Sequence, residues 1–267
     1  MLFWEYILLA VIQGVAEFLP ISSSGHLALL GDFFDLSAED SGLLSVMLHA
    51  GSLLAIVVYY FRELLRVCLN GKLILKLIVA TIPVGIGGCC WELFRFDRFL
   101  DNFPAAVGMA FLITGMLLRL TSRPKLIAYE HPTDLSHLSW KQTLAIGLTQ
   151  MVALIPGISR SGSTISAGVL SGVDREAAST FSFLLAIPAI AGAIFVKLLQ
   201  ACAGNGFSLS ISLPALTVAT IVSALVSFVA LAFLVKIVKR GRLSSFSWYM
   251  FAIGTLVILV NVVKTAN

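Results

Sequence analysis

Charged side chains are scarce in this sequence. Asp, Glu, Lys and Arg together make up 12% of the 267 residues, while hydrophobic residues make up 58%. A water-soluble protein of this length needs more polar surface than that to cover its core, and the mean hydropathy of +0.98 is correspondingly high. The composition argues against a soluble enzyme and predicts a membrane protein.

Three further patterns are missing. The four cysteines have no CxxC or Cys/His ligand spacing, so we interpret them as small packing groups. The first apolar stretch has no basic segment before it and no small-residue cleavage pattern, which argues against a signal peptide. The net charge of +4 comes from basic residues spread over short segments between apolar runs, so no nucleic-acid partner is expected.

Long apolar runs are what the sequence does contain. A helix needs roughly 18 or more mostly apolar residues to cross about 30 Å of hydrocarbon. On this basis six segments are interpreted as membrane spans: 43–61, 73–91, 104–120, 177–199, 211–235 and 246–263.

Two shorter apolar stretches, 5–18 and 140–155, do not fit this description. Each runs into a break rich in Pro, Gly and Ser, at 20–25 and at 156–162. At about 1.5 Å per residue the first stretch covers only about 21 Å. Both are therefore predicted to form re-entrant hairpins that do not cross the membrane.

The two breaks are related by an internal repeat. A shift of 137 residues superposes identical residues, among them Gln13 on Gln150, Ala16 on Ala153, Ser22 on Ser159, Ser24 on Ser161 and Gly25 on Gly162. We predict one integral membrane domain of two repeats, about 1–121 and about 138–267, joined by a cytoplasmic loop at about 121–139. Each repeat holds one hairpin and three spans, and an odd number of spans gives the repeats opposite orientations. The predicted fold class is an all-α polytopic membrane protein with an inverted-topology repeat.

Basic residues are distributed unevenly between the two predicted faces. One face receives Arg62, Arg66, Lys72, Lys76, Arg119, Arg123, Lys125, Lys141, Arg175, Lys236, Lys239, Arg240 and Arg242, and the other only Arg95, Arg98, Lys197 and Lys264. Cytoplasmic loops carry the excess of Lys and Arg, so the first face is predicted to be cytoplasmic. Both termini and the entrance of the first hairpin then lie on the outer side.

The first hairpin concentrates groups that can do chemistry. Gln13 and Glu17 share one helix face, and the run from Ser22 through Ser24 to His26 follows within ten residues. An ionisable residue at membrane depth is costly unless it is paired or hydrated, so Glu17 is a candidate catalytic residue. The alternative is an interfacial carboxylate beside serines that only cap a helix.

The second hairpin carries the run Ser159-Arg160-Ser161-Gly162-Ser163-Thr164 just before an apolar helix. An arginine fork, several hydroxyls and the free N–H groups of a helix start all favour a phosphate, although such a run can also be simple helix punctuation. Together the two hairpins predict diphosphate hydrolysis, assisted by Mg²⁺ or Ca²⁺ at Glu17, because the available ligands are oxygens. His49, alone in a span, is expected to be a packing residue.

These two motifs carry a family resemblance. The pattern Gln13-x-x-x-Glu17-Phe-Leu-Pro20-Ile-Ser-Ser-Ser-Gly25-His26, with Pro156-Gly-Ile-Ser-Arg160-Ser-Gly-Ser-Thr164, resembles the undecaprenyl-diphosphate phosphatase family linked to bacitracin resistance. The resemblance covers essentially the whole chain. It implies a multi-pass protein of the bacterial inner membrane that converts undecaprenyl diphosphate to the monophosphate at the outer face. The product is the lipid carrier used for peptidoglycan and other envelope polymers.

The resemblance also implies roles for individual residues. Glu17 corresponds to the metal-binding acid, and either Ser23 or His26 to the nucleophile. Gln13 takes a position where many members have glutamate, and it is expected to position water or a phosphate oxygen. Arg160 is expected to be a catalytic residue that binds and neutralises the diphosphate, and the remaining substrate-binding candidates are Ser22, Ser24, Ser159, Ser161 and Thr164.

Two other functions compete with this one. A transporter or flippase of a polyprenyl phosphate would also use inverted repeats and broken helices, but it has less use for an acid beside a nucleophile. A phosphatidic-acid-type phosphatase shares the fragments Ser-Gly-His and Ser-Arg, but its Lys-x6-Arg-Pro segment is missing from this sequence. The expected partners are the lipid substrate and the bilayer, and a homodimer is left open.

Overall fold

The computed structural model describes residues 3–33, 38–94, 96, 104–122, 134–202 and 212–266, and these residues contain helices and no β-strand. The α-helices are α1 (Phe3–Phe18), α2 (Ser23–Phe33), α3 (Ala38–Tyr59), α4 (Phe61–Cys68), α5 (Gly71–Phe94), α6 (Pro104–Leu120), α7 (Trp140–Val152), α8 (Arg160–Leu170), α9 (Arg175–Cys202), α10 (Leu213–Lys239) and α11 (Phe246–Ala266). Short 3-10 turns precede α7 and α11, at Leu135–His137 and Leu243–Ser245. The predicted all-α class is confirmed.

Five of the six predicted spans are long and apolar enough to cross a membrane. They correspond to Gly42–Tyr59 of α3, to α5, to Arg175–Gln200 of α9, to α10, and to Leu243–Val263, which contains most of α11. The sixth, α6, is apolar but has 17 residues, or about 25 Å at 1.5 Å per residue. The chain is therefore a multi-pass membrane protein in which α6 is the shortest of the predicted spans.

The two predicted breaks are present, and each separates two short helices. The backbone leaves the helical path at 19–22, between α1 and α2, and at 153–159, between α7 and α8. Gly157 has a φ of 98° and Ser22 a φ of 66°. A left-handed conformation costs a non-glycine residue roughly 1–2 kcal/mol, so the turn at Ser22 is strained, which is common at functional sites.

The two breaks lie against each other. A Cβ added to Gly25 would be 2.6 Å from Phe111 Cζ and 3.0 Å from Gly157 Cα, so only glycine fits there. The Ser161 hydroxyl also donates to the Leu19 carbonyl at 3.4 Å. This contact joins the start of α8 to the end of α1, two segments that are far apart in the sequence.

Helix packing is reciprocal between the two halves of the chain. Helix α1 packs on α10, its counterpart α7 packs on α5, and α6 packs on its counterpart α11. A duplication would give such a pairing, but the duplication itself stays a prediction. The opposite membrane orientation of the repeats stays a prediction.

Some basic residues can be placed relative to one another. Lys239 Nζ lies 2.7 Å from Glu176 Oε1, and the Arg175 guanidinium lies beside Gly241, so the start of α9 and the end of α10 share one end of the molecule. This agrees with the predicted basic face, whose sidedness stays a prediction. Outside the described residues lie Arg95, Arg98, Arg123, Lys125, the side chain of Lys264 and the 123–133 part of the connecting loop.

Candidate active site

The Glu17 carboxylate joins the two breaks. Its Oε1 accepts a hydrogen bond from Arg160 Nη2 at 2.7 Å. Its Oε2 accepts from Gln13 Nε2 at 3.0 Å and from the Ser23 hydroxyl at 2.8 Å. The Glu17 side chain is only 6% exposed, so these partners compensate the loss of water around its charge. Four residues singled out in the sequence therefore meet at one point.

His49 belongs to this cluster, so the expectation that it is only a packing residue was wrong. Its Nε2 lies 3.6 Å from Glu17 Oε2. Its Nδ1 lies 2.7 Å from the Ser45 carbonyl, one turn earlier in α3, and must carry a proton to bond there. The general rule that an ionisable side chain in a span is a functional candidate would have identified it.

His26 is held by other partners. Its Nδ1 donates to the Ser22 carbonyl at 2.8 Å, and its Nε2 accepts from the Tyr249 hydroxyl at 2.7 Å. The two rings also stack, with centroids 5.8 Å apart and planes 11° apart. His26 therefore contacts α11, whereas Ser23 contacts Glu17.

A cavity of about 190 Å³ opens beside Glu17. It is smaller than the roughly 300–1,000 Å³ of pockets that hold drug-sized molecules, so it can take a head group but not a long hydrocarbon tail. One part of its wall is polar: Glu17, Ser22, Ser23, Ser24, His49, Gln150, Ser159 and Arg160. The rest is apolar: Ala16, Val84, Ala153, Leu154, Ile158, Ala189, Ile190 and Ala193. The cavity therefore suits a polar head attached to an apolar chain.

The serine and threonine side chains of the second break are used mainly to hold its backbone. Ser159 caps α8 by accepting from the Gly162 N–H at 3.1 Å. Thr164 donates to the Arg160 carbonyl at 2.8 Å and contacts the Ser182 hydroxyl. Ser161 pairs with Ser159 at 3.2 Å. Neither Ser161 nor Thr164 lines the cavity, so their predicted contact with substrate would need a rearrangement.

Thr114 in α6 is a residue that the sequence did not reveal. Its hydroxyl donates to the Gly157 carbonyl and accepts from the Ser159 N–H, both at 3.1 Å. Thr114 is fully buried. It provides hydrogen-bond partners for two buried backbone groups that have no helical partner at the break. A polar side chain within an apolar helix was the only indication available from sequence.

A metal ion at this site would depend heavily on its substrate for ligands. In the described part of the chain, no three His, Cys, Asp or Glu side chains lie close enough together to hold a metal ion. Oxygen donors are nevertheless present, since Gln13 Oε1 is buried without a hydrogen-bond partner close to the Glu17 carboxylate. Mg²⁺ is often held by one or two carboxylates with substrate phosphates and water. The residues present fit that type of site.

Comparison with known proteins agrees with the motifs. The sequence profile of the family described as bacitracin resistance protein BacA matches residues 6–256. The chain is 37% identical over 259 residues to undecaprenyl-diphosphatase 3 of Bacillus cereus, covering 96% of each protein. It is 38% identical over 256 residues to the undecaprenyl-diphosphatase of Pelagibacter ubique, again covering 96% of each. This chain therefore belongs to the bacitracin resistance protein BacA family.

Proposed function

We propose that this chain hydrolyses undecaprenyl diphosphate to undecaprenyl phosphate and inorganic phosphate. The observation that carries the proposal is the Glu17 carboxylate, at which the Ser23 hydroxyl and the Arg160 guanidinium meet beside a cavity. An acid, a hydroxyl and a cationic fork are the groups that phosphoryl transfer requires. The names of the two relatives support the choice of substrate.

Arg160 is a principal binding residue for the phosphates. Its Nη2 is paired with Glu17, but its Nη1 is buried and has no hydrogen-bond partner among the described residues. A free N–H pair on a planar cation is well suited to phosphate oxygens. Arg160 is also the first residue of α8, where the helix dipole favours an anion.

Ser23 is the nucleophile that the geometry favours over His26. Its hydroxyl already donates to Glu17 at 2.8 Å, so the carboxylate can take the proton as the oxygen attacks the terminal phosphorus. The Ser23 O–P bond forms while the P–O bond to undecaprenyl phosphate breaks. Water then attacks the phosphoserine, and the proton returns so that free Ser23 and inorganic phosphate are left.

A divalent cation, Mg²⁺ or Ca²⁺, would be held by Glu17 and the Gln13 carbonyl oxygen. When bound, it would neutralise part of the diphosphate charge. The other steps are carried out by side chains: Arg160 orients the phosphates, and Ser23 transfers its proton to Glu17.

The surroundings of the site fit a lipid substrate. The apolar wall that includes Val84 and Ala189 would contact the first part of the prenyl chain, while the rest stays in the bilayer. The excess of basic residues on one predicted face supports an orientation in the bacterial inner membrane with that face in the cytoplasm and the site open to the outer side. Release of the monophosphate there would recycle the carrier for envelope polymers and support bacitracin resistance.

The test is phosphate release from undecaprenyl diphosphate by the purified full chain in detergent, with and without a divalent-metal chelator. The native protein should release phosphate, whereas Glu17→Ala and Arg160→Ala should not. Glu176→Ala is the matched control, because Glu176 also pairs with a cation at 2.7 Å, but on the exposed surface. Chelation should reduce the native rate if the cation is required.

The opposite result has a clear meaning. Native protein that binds the lipid but releases no phosphate would overturn the hydrolase and favour the transporter. Loss of activity in Glu176→Ala to the same degree as in Glu17→Ala would show that the assay reports folding and not the site.

A further inference from the structure

Gln150 is a buried amide that the hydrolysis proposed above does not use. Its side chain lies on α7 and is part of the cavity wall together with Arg160. The residue is 2% exposed, and neither Nε2 nor Oε1 has a hydrogen-bond partner among the described residues. Burying an amide without partners is unfavourable, so this position needs an explanation.

The repeat shows why Gln150 has no partner. Its counterpart Gln13 donates to Glu17, four residues later, at 3.0 Å. The counterpart of Glu17 in the second half is Leu154, which also lines the cavity. The second half has thus kept the glutamine and has an apolar residue where the acceptor would be. The described residues thus offer Gln150 no acceptor, and a bound ligand could supply one.

The neighbouring cation indicates what kind of acceptor this is. Arg160 Nη1 is a second buried donor that lines the same cavity and has no partner among the described residues. Two donors without acceptors, one cationic and one neutral, match a ligand that presents several anionic oxygens. A glutamate at position 150 would add negative charge and repel such a ligand, whereas an amide does not.

We propose that Gln150 is a further substrate-binding residue, donating a hydrogen bond from Nε2 to a phosphate oxygen of the diphosphate held by Arg160. Its Oε1 is then free to accept from a water molecule in the cavity. The inference rests on the proposed function, because it takes the diphosphate of that substrate as the ligand. It assigns to the second half a phosphate contact besides Arg160.

The experiment compares native protein with Gln150→Leu and Gln150→Glu, as full chains in detergent. Gln150→Leu should melt no lower than native protein without ligand, since leucine removes an unpartnered buried amide at similar volume. Its KM for undecaprenyl diphosphate should rise about ten-fold or more, the size expected for a lost hydrogen bond to a charged group, with a smaller change in kcat. Gln150→Glu should raise KM further.

Gln142→Leu provides the matched control on the same helix. The Gln142 amide is satisfied, because it accepts from the Ser139 N–H at 2.8 Å and donates to the Ser171 carbonyl at 3.0 Å. Its replacement should lower the melting temperature and leave KM unchanged. The two glutamines should therefore show opposite patterns of stability and substrate affinity.

A second readout separates this inference from the hydrolysis itself. Inorganic diphosphate should raise the melting temperature of native protein more than that of Gln150→Leu, whether or not the chain releases phosphate. If hydrolysis fails but this difference is found, the proposed function is wrong and the binding role stands. If Gln150→Leu changes neither KM nor the shift caused by diphosphate, or lowers stability alone, the binding role is wrong.

Discussion

Both helix breaks have a serine cap with the same hydrogen bond, although φ is 66° at Ser22 and −72° at Ser159. In the first, the Ser22 hydroxyl accepts from the Gly25 N–H at 3.4 Å, and in the second the Ser159 hydroxyl accepts from the Gly162 N–H at 3.1 Å. These two pairs are superposed by the 137-residue shift. Serine caps satisfy N–H groups that every helix start leaves open, so the same solution serves both halves.

The side chains that the two breaks present are different. The position of Glu17 in the first half is Leu154 in the second, and the position of Arg160 in the second half is Ser23 in the first. The acid and the hydroxyl therefore come from one break and the cation from the other. Two breaks with the same serine cap therefore form an asymmetric site, and neither break holds the complete set by itself.

Exchanging the charges of Glu17 and Arg160 should cause the largest loss of activity. Arg160→Glu alone places two carboxylates together, while Glu17→Arg with Arg160→Glu restores a pair in reverse. The double variant should regain stability lost in the single variant, about 3 kcal/mol for a buried pair, but remain at least about 10³-fold below native kcat/KM, since the cation then faces Ser23. Thermal unfolding and phosphate release measure the two effects.

Recovery of substantial activity in the double variant would contradict this view, because it would mean that only the presence of the pair matters. Recovery of neither stability nor activity would show that the surroundings of each position are already specialised for one charge.

Removing the Ser23 hydroxyl should have the next largest effect. Ser23→Ala loses the nucleophile bonded to Glu17, and kcat should fall at least about 10²-fold, because the covalent step is lost together with the proton transfer to Glu17. Ser24→Ala is the comparison, because Ser24 lines the same cavity but its hydroxyl bonds to Ser22 at 3.4 Å. Its loss should affect KM more than kcat.

The reaction intermediate gives an independent check on Ser23. Rapid quenching with substrate labelled on the terminal phosphate should trap label on the native protein and none on Ser23→Ala. Label retained in Ser23→Ala and lost in His26→Ala would assign the nucleophile to His26 instead.

Giving the second break the acid of the first should have an intermediate effect. In Leu154→Glu the new carboxylate can accept from Gln150 as Glu17 does from Gln13, but it also faces the cavity near Arg160. The new carboxylate should compete with the diphosphate for Arg160 and repel it, which should lower kcat/KM about 10- to 100-fold, mostly by raising KM. Leu154→Met, which has similar volume and no charge, should stay near the native value.

Sequence predicts features that depend on neighbouring residues better than features that depend on residues far apart in the chain. Proline fixes its own φ and has no backbone N–H, as at Pro20, and glycine permits the left-handed φ that Gly157 adopts, so both breaks could be located from sequence. The contact of Glu17 with Arg160 joins residues 143 positions apart, and only the repeat and the resemblance suggested it.

The residues that sequence analysis missed share one property. His49, Thr114 and Gln150 each lie on a mostly apolar helix, where the identity of the residue does not say which face meets the site. That face is fixed by how α3, α6 and α7 pack on their neighbours. Polar residues in such helices are seldom without a role, but their partners become visible only after folding.

Removing the hydrogen bond between Tyr249 and His26 should have the smallest effect on activity. Tyr249→Phe removes the donor to His26 Nε2 but keeps the stacked ring. Because this hydrogen bond is partly exposed, its loss should cost about 0.5–1 kcal/mol, or about 2 °C in melting temperature, with kcat/KM within about two-fold of native. His26→Ala should lose more stability, because it also removes the ring that contacts Phe111. If His26 were the nucleophile, releasing its Nε2 in Tyr249→Phe would raise or abolish activity, so an unchanged rate with a small loss of stability separates a positioning contact from a reacting group.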